Sequence, residues 1–245
     1  MIEIHDLTKK YGDFTAVDGL SLTVAPGEIF GFLGPNGAGK TTTIRILAGL
    51  SLPTSGEARV GGHDVVRDAI AAKRLVGYVP DRPYLYEKLT GRELLQFIAS
   101  LYSKPWSDCE PRALELLRYF ELSDWTDARI ENLSHGMKQK LVIIGALVHD
   151  PTVLIIDEPM VGLDALAQRQ VKLLLRRLAD EDKTIFLTTH TLSVAEAVCD
   201  RIAILSRGRV VASGKTSDLK EAAGRPGSPL EDVFLELTYD DQVSS

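Results

Sequence analysis

In the first thirty residues apolar positions alternate with polar ones as in half-buried strands: Ile2 and Ile4, then Ala16 to Val24, with a turn at Gly12-Asp13 between them. A second turn at Pro26-Gly27 leads into Ile29-Phe30-Gly31-Phe32-Leu33. That run has no polar position, which predicts a strand buried on both faces of a covered sheet. Leu75 to Val79, Val153 to Ile156, Ile185 to Leu187 and Ile202 to Leu205 read the same way. Between them the period becomes helical: Thr41 to Gly49, with Ile44, Leu47 and Ala48 on one face, then Leu166 to Ala179 and Ser193 to Cys199. This alternation predicts an α/β fold with a mostly parallel sheet and helices on its faces.

From about Thr90 to Val148 the alternation stops and the pattern is helical throughout, as expected of a helical subdomain inserted into the α/β core. Thr90-x-x-Glu93 and Ser107-x-x-Glu110 both have capping-box spacing. Leu94, Phe97, Ile98 and Leu101 recur at helical intervals, as do Leu114, Leu117 and Phe120. Near the end, Gly224-Arg225-Pro226-Gly227-Ser228-Pro229 reads as a linker, and Leu230, Val233, Phe234 and Leu237 stripe a short amphipathic helix. The expected division is one α/β unit with its helical insert over residues 1–220 and a linker with a terminal helix over 221–245.

Composition narrows the class. The 245 residues carry 44% apolar and 25% charged side chains, as globular domains do, and a net charge of −6 disfavours a broad electrostatic grip on nucleic acid. Cys109 and Cys199 lie far apart with no metal-like spacing, which fits a reduced cytosolic protein. The longest apolar run, Leu141 to Val148, is far short of the roughly 20 residues of a membrane span. Met1 leads straight into Ile2-Glu3-Ile4, with no sign of a signal peptide.

The strongest chemical signal is Gly34-Pro35-Asn36-Gly37-Ala38-Gly39-Lys40-Thr41, which matches G-x-x-x-x-G-K-[ST] between an apolar strand and an amphipathic helix. The glycines let successive backbone N–H groups turn inward toward phosphate oxygens, and the helix adds the positive end of its dipole. Lys40 is suited to neutralise β/γ-phosphate charge, and the Thr41 hydroxyl to ligate Mg²⁺. Thr42 extends the nucleotide-binding set. Val153 to Ile156 runs into Asp157-Glu158, as a buried strand does at the ligand-facing edge of a sheet. Asp157 is the candidate to hold Mg²⁺, directly or through water, and Glu158 the candidate general base toward water. Thr188-Thr189-His190 ends another apolar run in the same style, so His190 is either a structural histidine or a γ-phosphate contact.

Together these motifs resemble the ATP-binding subunits of ABC transporters over nearly the whole chain. Gly34 to Thr41 resembles the family's Walker A, Val153 to Glu158 its Walker B, Leu133-Ser134-His135-Gly136-Met137 its LSGGQ signature, Gly162-Leu163-Asp164 its D-loop and His190 its switch histidine. Tyr11 takes the place of the aromatic that stacks on adenine. Two departures stand out: His135 and Met137 replace a glycine and a glutamine of the signature, and Asp81 stands where a Q-loop glutamine is usual. Asp81 is carried as a third candidate toward the metal. These departures, with Leu230 to Phe234, resemble the exporter-associated branch.

The resemblance implies a P-loop NTPase fold with an N-terminal antiparallel β subdomain and the helical insert already noted. It implies ATP and Mg²⁺ as bound groups, and ATP hydrolysis as the reaction. It also implies a second ATP-binding subunit, identical or related, whose nucleotide faces Ser134 and Gly136 of this chain. A separate multi-span permease would hold the subunit at the inner face of the cell membrane, with no nucleic-acid partner and no direct membrane insertion. The Tyr84 to Leu89 region and the helical insert are the expected docking surface. The alternative is a soluble ABC-type ATPase acting on ribosomes or nucleic acid. A third reading, a regulatory module without turnover, is opposed by the intact Lys40, Asp157, Glu158 and His190.

Overall fold

The computed structural model describes residues 1–222 and 230–235. The proposed linker from Gly224 to Pro229, and Leu237, lie outside the described residues. Strands β1 (Ile2–Tyr11), β2 (Phe14–Val24), β4 (Ser55–Val60) and β5 (His63–Asp64) form an antiparallel sheet in the order β2-β1-β4-β5. The second sheet contains β3 (Ile29–Leu33), β6 (Val76–Val79), β7 (Val153–Asp157), β8 (Thr184–Thr189), β9 (Arg201–Ser206) and β10 (Arg209–Gly214) in the order β10-β9-β3-β8-β7-β6. All its pairings are parallel except β10 with β9.

The fully apolar strands are explained by what covers the large sheet. Along β7 and β8, Leu154, Ile156, Ile185 and Leu187 face one core, and Val153, Ile155 and Phe186 face the other. The first core is filled by α5 (His135–Leu147) and α6 (Ala165–Asp180), the second by α1 (Lys40–Leu47) and the antiparallel sheet. Side chains alternate between faces with period two, but both faces are buried, so the sequence shows no alternation. A third, smaller core joins Leu33 to Leu192 and Ala195 of α7 (Leu192–Val198), Leu219 of α8 (Thr216–Ala222), and Leu230 of the helical turn at 230–235, with Phe234 of that turn packed against it.

Residues 90–148 hold α3 (Gly91–Leu101), α4 (Trp106–Tyr119), two short 3-10 turns and α5, and no named strand. Thr90 forms the expected capping box with Glu93. Ser107 does not form one. Helix α4 already begins at Trp106 with Pro105 as its N-cap, so Ser107 lies inside the first turn and its hydroxyl donates to Asp108 Oδ1 instead. Leu94, Leu117 and Phe120 are buried as their spacing suggests, whereas Phe97 and Leu101 stand exposed on the outer face of α3. Helix α2 (Ala69–Arg74) completes the connection from the small sheet to β6.

Candidate active site

The parallel sheet puts four loops at one edge. In the order β3-β8-β7-β6, the strands run out into Gly34, His190, Glu158 and the Pro80-Asp81 turn, with Leu33 beside Thr189 and Asp157 beside Thr188 in register. Residues more than 150 positions apart in sequence thus become neighbours through strand order alone. The sequence-predicted residues Lys40, Asp81, Asp157, Glu158 and His190 all lie at this edge.

The phosphate loop is shaped by its glycines. Gly39 has φ 107°, and a Cβ there would come 2.4 Å from the Ala16 carbonyl oxygen, so neither the conformation nor the space admits a side chain. Gly39 is also the N-cap of α1, and no side chain caps that helix. Helices α3, α5 and α6 are capped by Thr90, Ser134 and Asp164. The first N–H groups of α1 are thus unclaimed by any cap and face the loop, which suits an anionic phosphate. Lys40 Nζ donates to the carbonyls of Gly34 at 2.6 Å and Pro35 at 3.0 Å. Burial lowers the lysine's pKa, and the negative charges of Glu158 and Asp157 oppose that shift. A cavity of about 200 Å³ beside the loop is lined by Asn36, Gly37, Thr41 and Thr42, with Tyr11 and Phe14 on its other side. Tyr11 and Phe14 pair across the β1–β2 turn, so the hairpin brings two exposed aromatic rings to the phosphate loop. Phe14 was passed over in the sequence. Its signal was an aromatic directly after the turn.

Asp157 is buried, and burial pushes its carboxyl pKa up, with the like charges of Asp81 and Glu158 adding to the effect. A hydrogen bond from the Thr188 hydroxyl to Asp157 Oδ1 opposes the shift. Thr188 is a second residue the sequence did not single out, because on a buried strand threonine reads simply as a β-branched residue. Glu158 has φ 55°, a left-handed conformation costing a non-glycine residue roughly 1–2 kcal/mol. Its N–H bonds the Thr188 carbonyl at 3.1 Å. Its Oε1 accepts the His190 backbone N–H at 2.9 Å and lies 2.7 Å from His190 Nδ1. Since a carboxylate only accepts, Nδ1 is the protonated ring nitrogen in this pair.

Among the described residues no three His, Cys, Asp or Glu side chains cluster as a metal cage. Mg²⁺ suits such a place nonetheless. It binds through one or two carboxylates and the substrate's phosphates, and the Thr41 hydroxyl and the Asp157 carboxylate both lie at this edge. Ser134 and Gly136 are not among the residues around the phosphate-loop cavity. They stand at the start of α5, where the Ser134 hydroxyl accepts the Met137 N–H, and a Cβ on Gly136 would lie 3.4 Å from the Gly162 carbonyl oxygen.

A family profile described as ABC transporter matches residues 17–161. The chain belongs to the ABC transporter family. Among similar ABC proteins, the Nod factor export ATP-binding protein I of Paraburkholderia xenovorans (strain LB400) is 44% identical over 95% of this chain and 76% of its own length. The daunorubicin/doxorubicin resistance ATP-binding protein DrrA of Streptomyces peucetius is 42% identical over 91% of this chain and 68% of its own. The probable multidrug ABC transporter ATP-binding protein YbhF of Escherichia coli (strain K12) is 37% identical, and this chain spans 42% of its length. In three dimensions, a solved ATP-binding subunit of an ABC transporter superposes with TM-score 0.92 at 34% identity, covering 97% of this chain and 99% of that one. A dimeric ATP-binding cassette in a post-hydrolysis state, bound to ADP and Pi, superposes with TM-score 0.79 at 28% identity, covering 88% and 98%. The P-loop α/β fold of this ABC family member is therefore that of an ATP-binding cassette. Among the described residues no helix is long and apolar enough to cross a membrane.

Proposed function

We propose that the chain is an ATP-hydrolysing subunit that powers a membrane exporter. The observation that carries this reading is the meeting of the phosphate loop, Asp157, Glu158 and His190 at one edge of the parallel sheet. In this reading residues 1–220 form the ATPase unit and residues 90–148 its helical subdomain. Tyr11 stacks on the adenine, and the loop from Gly34 to Thr42, including Pro35, Asn36 and Ala38, wraps the phosphates. Thr41 and Asp157, with Asp81 nearby, would hold Mg²⁺, which would supply neutralisation of phosphate charge. Lys40 exchanges its carbonyl partners for phosphate oxygens, a stronger charge-assisted bond. His190 occupies Oε1 of Glu158 and leaves Oε2 to accept a proton from the attacking water.

Two copies are proposed to close around two nucleotides, Ser134 and Gly136 of each meeting the ATP of the other. The dimeric cassette bound to ADP and Pi supports this arrangement by likeness, and the Nod factor and drug-resistance relatives support export. For the permease contact we propose the groove of about 620 Å³ lined by Leu50, Ile70, Tyr84, Tyr86, Phe97 and Leu101. Tyr84 is 80% and Leu101 65% exposed, and such an apolar patch is costly to leave in water. The segment behind it is tied to α5 by Lys138, which pairs with Glu87 at 2.6 Å, and to the 3-10 turn ahead of α5 by the Ile130 N–H, which bonds the Leu89 carbonyl. A push on α5 during closure is thereby passed to the groove. The permease keeps the subunit at the cytoplasmic face of the membrane.

The test is a pull-down of the tagged Glu158→Gln chain with Mg-ATP from detergent-solubilised membranes of its source cell. Co-purification of a multi-span membrane protein is expected. Recovery only with ribosomes or DNA overturns the transporter reading.

A further inference from the structure

The signature loop departs from its family pattern at His135, and the structure gives that side chain a specific neighbour. A Cβ built on Gly162 would fall 2.4 Å from His135 Nε2 and 2.5 Å from its Cδ2, so the imidazole lies directly over Gly162 and would have to move for any side chain there. The next residue closes on the same place: a Cβ on Gly136 would stand 3.4 Å from the Gly162 carbonyl oxygen. Gly162 has φ 77° and lies in the tight turn that connects Glu158 to α6. Within that turn the Val161 N–H bonds the Glu158 carbonyl, and Asp164 caps α6 by accepting the Ala167 N–H at 2.8 Å. Two loops from distant parts of the sequence, each leading into its own capped helix, are thus joined through one ring.

We propose that His135 is a positioning residue: by packing on Gly162 it locks the signature loop to the turn bearing Asp164, so that the two reach the second copy's nucleotide as one rigid surface. This rests on the two-copy reading above. A glycine at position 135 would remove the ring that covers Gly162 and let the two loops move independently, which raises the ordering cost of closure.

The test is a double-mutant cycle in the Glu158→Gln chain, reading the ATP concentration for half-maximal dimer by size-exclusion chromatography with light scattering. His135→Gly and Gly162→Ala are each expected to raise that concentration, roughly three- to tenfold, as residues in contact do. In the double variant the alanine methyl enters the space vacated by the ring, so Gly162→Ala costs clearly less there than beside His135. The backbone strain of alanine at φ 77° is common to both backgrounds and cancels. ATP binding by the single chain, measured by titration at concentrations too low for dimers, is expected to be the same for His135→Gly as for its parent. A purely structural defect would weaken both readouts. Additive effects, or wild-type-like dimerisation by His135→Gly, overturn the proposal. Failure of the parent Glu158→Gln chain to dimerise with ATP overturns it in a distinguishable way, because the two-copy reading then falls first.

Discussion

His190 holds Glu158 by two bonds to a single oxygen: its backbone N–H at 2.9 Å and its Nδ1 at 2.7 Å both meet Oε1. The glutamate sits in a left-handed conformation just past β7, so the histidine just past the neighbouring strand β8 fixes the aim of its carboxylate. General-base catalysis contributes about 10²–10⁴-fold, and it requires the base to be aimed as well as present. Glu158→Gln is expected to bind ATP, lose nearly all turnover and favour the closed dimer. His190→Ala removes the ring bond but keeps the backbone one, so a smaller loss of roughly 10–100-fold is expected, within the acid–base range. Phosphate-release assays at saturating ATP check both. Equal losses would mean that His190 does more than aim Glu158.

Lys40 is the one buried lysine at the phosphate loop, and it is held by the Gly34 and Pro35 carbonyls. A hydrogen bond to a charged group contributes about 1.5–3 kcal/mol, so Lys40→Ala is expected to weaken ATP binding by roughly ten- to a hundredfold. Titration with a fluorescent ATP analogue measures this. Unchanged affinity would remove Lys40 from phosphate binding.

How much was readable beforehand depended on which faces of each element are buried. Strands β3, β7, β8 and β9 stood out because both faces are covered, leaving short runs that no helix of that length would need. Strand β4, Ser55–Val60, and β10, Arg209–Gly214, did not: both are partly exposed and interrupted by polar residues, β4 pairing with β1 some fifty positions earlier and β10 lying at the sheet edge against β9. The phosphate loop and the acidic strand end were legible because their chemistry demands fixed residues at fixed spacing. The bond from Thr188 to Asp157 and the packing of His135 on Gly162 were not, since each joins side chains that only strand order and helix docking bring together. Ser107 shows the reverse case, a correct spacing on a helix whose first turn had already begun.

The apolar groove offers a prediction independent of the nucleotide site. Tyr86 meets Phe97 edge-on at 5.5 Å, while Tyr84 and Leu101 face water. Replacing exposed aromatic or leucine side chains with serine costs little stability, because surface substitutions usually change it by no more than about 0.5 kcal/mol. Tyr84→Ser with Leu101→Ser is therefore expected to leave the unfolding midpoint and ATP binding nearly unchanged and to abolish recovery of the membrane partner. Retained co-purification would move the docking surface elsewhere.

His149 makes stability depend on acid. Its ring stacks on Tyr102 at 3.5 Å, and its Nε2 lies 3.2 Å from the Val76 carbonyl, which also accepts the Tyr102 hydroxyl at 3.1 Å. A carbonyl can only accept, so Nε2 carries the proton and the buried Nδ1, which has no partner, is the unprotonated nitrogen. Charging the ring would put a second proton on that unpaired atom. Burial accordingly lowers the pKa from 6.5 to about 4, against the opposing bond to Val76 and the nearby negative charge of Asp150, while Lys104 and Arg112 push it lower still. Because the unfolded chain takes up this proton first, the contribution of His149 is fully present above the unfolded value of 6.5 and is lost as the pH falls toward 4. The full swing is about 3 kcal/mol, at 1.36 kcal/mol per pKa unit. Urea unfolding between pH 7 and pH 4 is expected to show this loss, and His149→Gln, which has no proton to gain, is expected to flatten it by that amount while starting from a lower stability at pH 7. An unchanged slope in the variant would mean that His149 takes up its proton in the folded chain as readily as in the unfolded one.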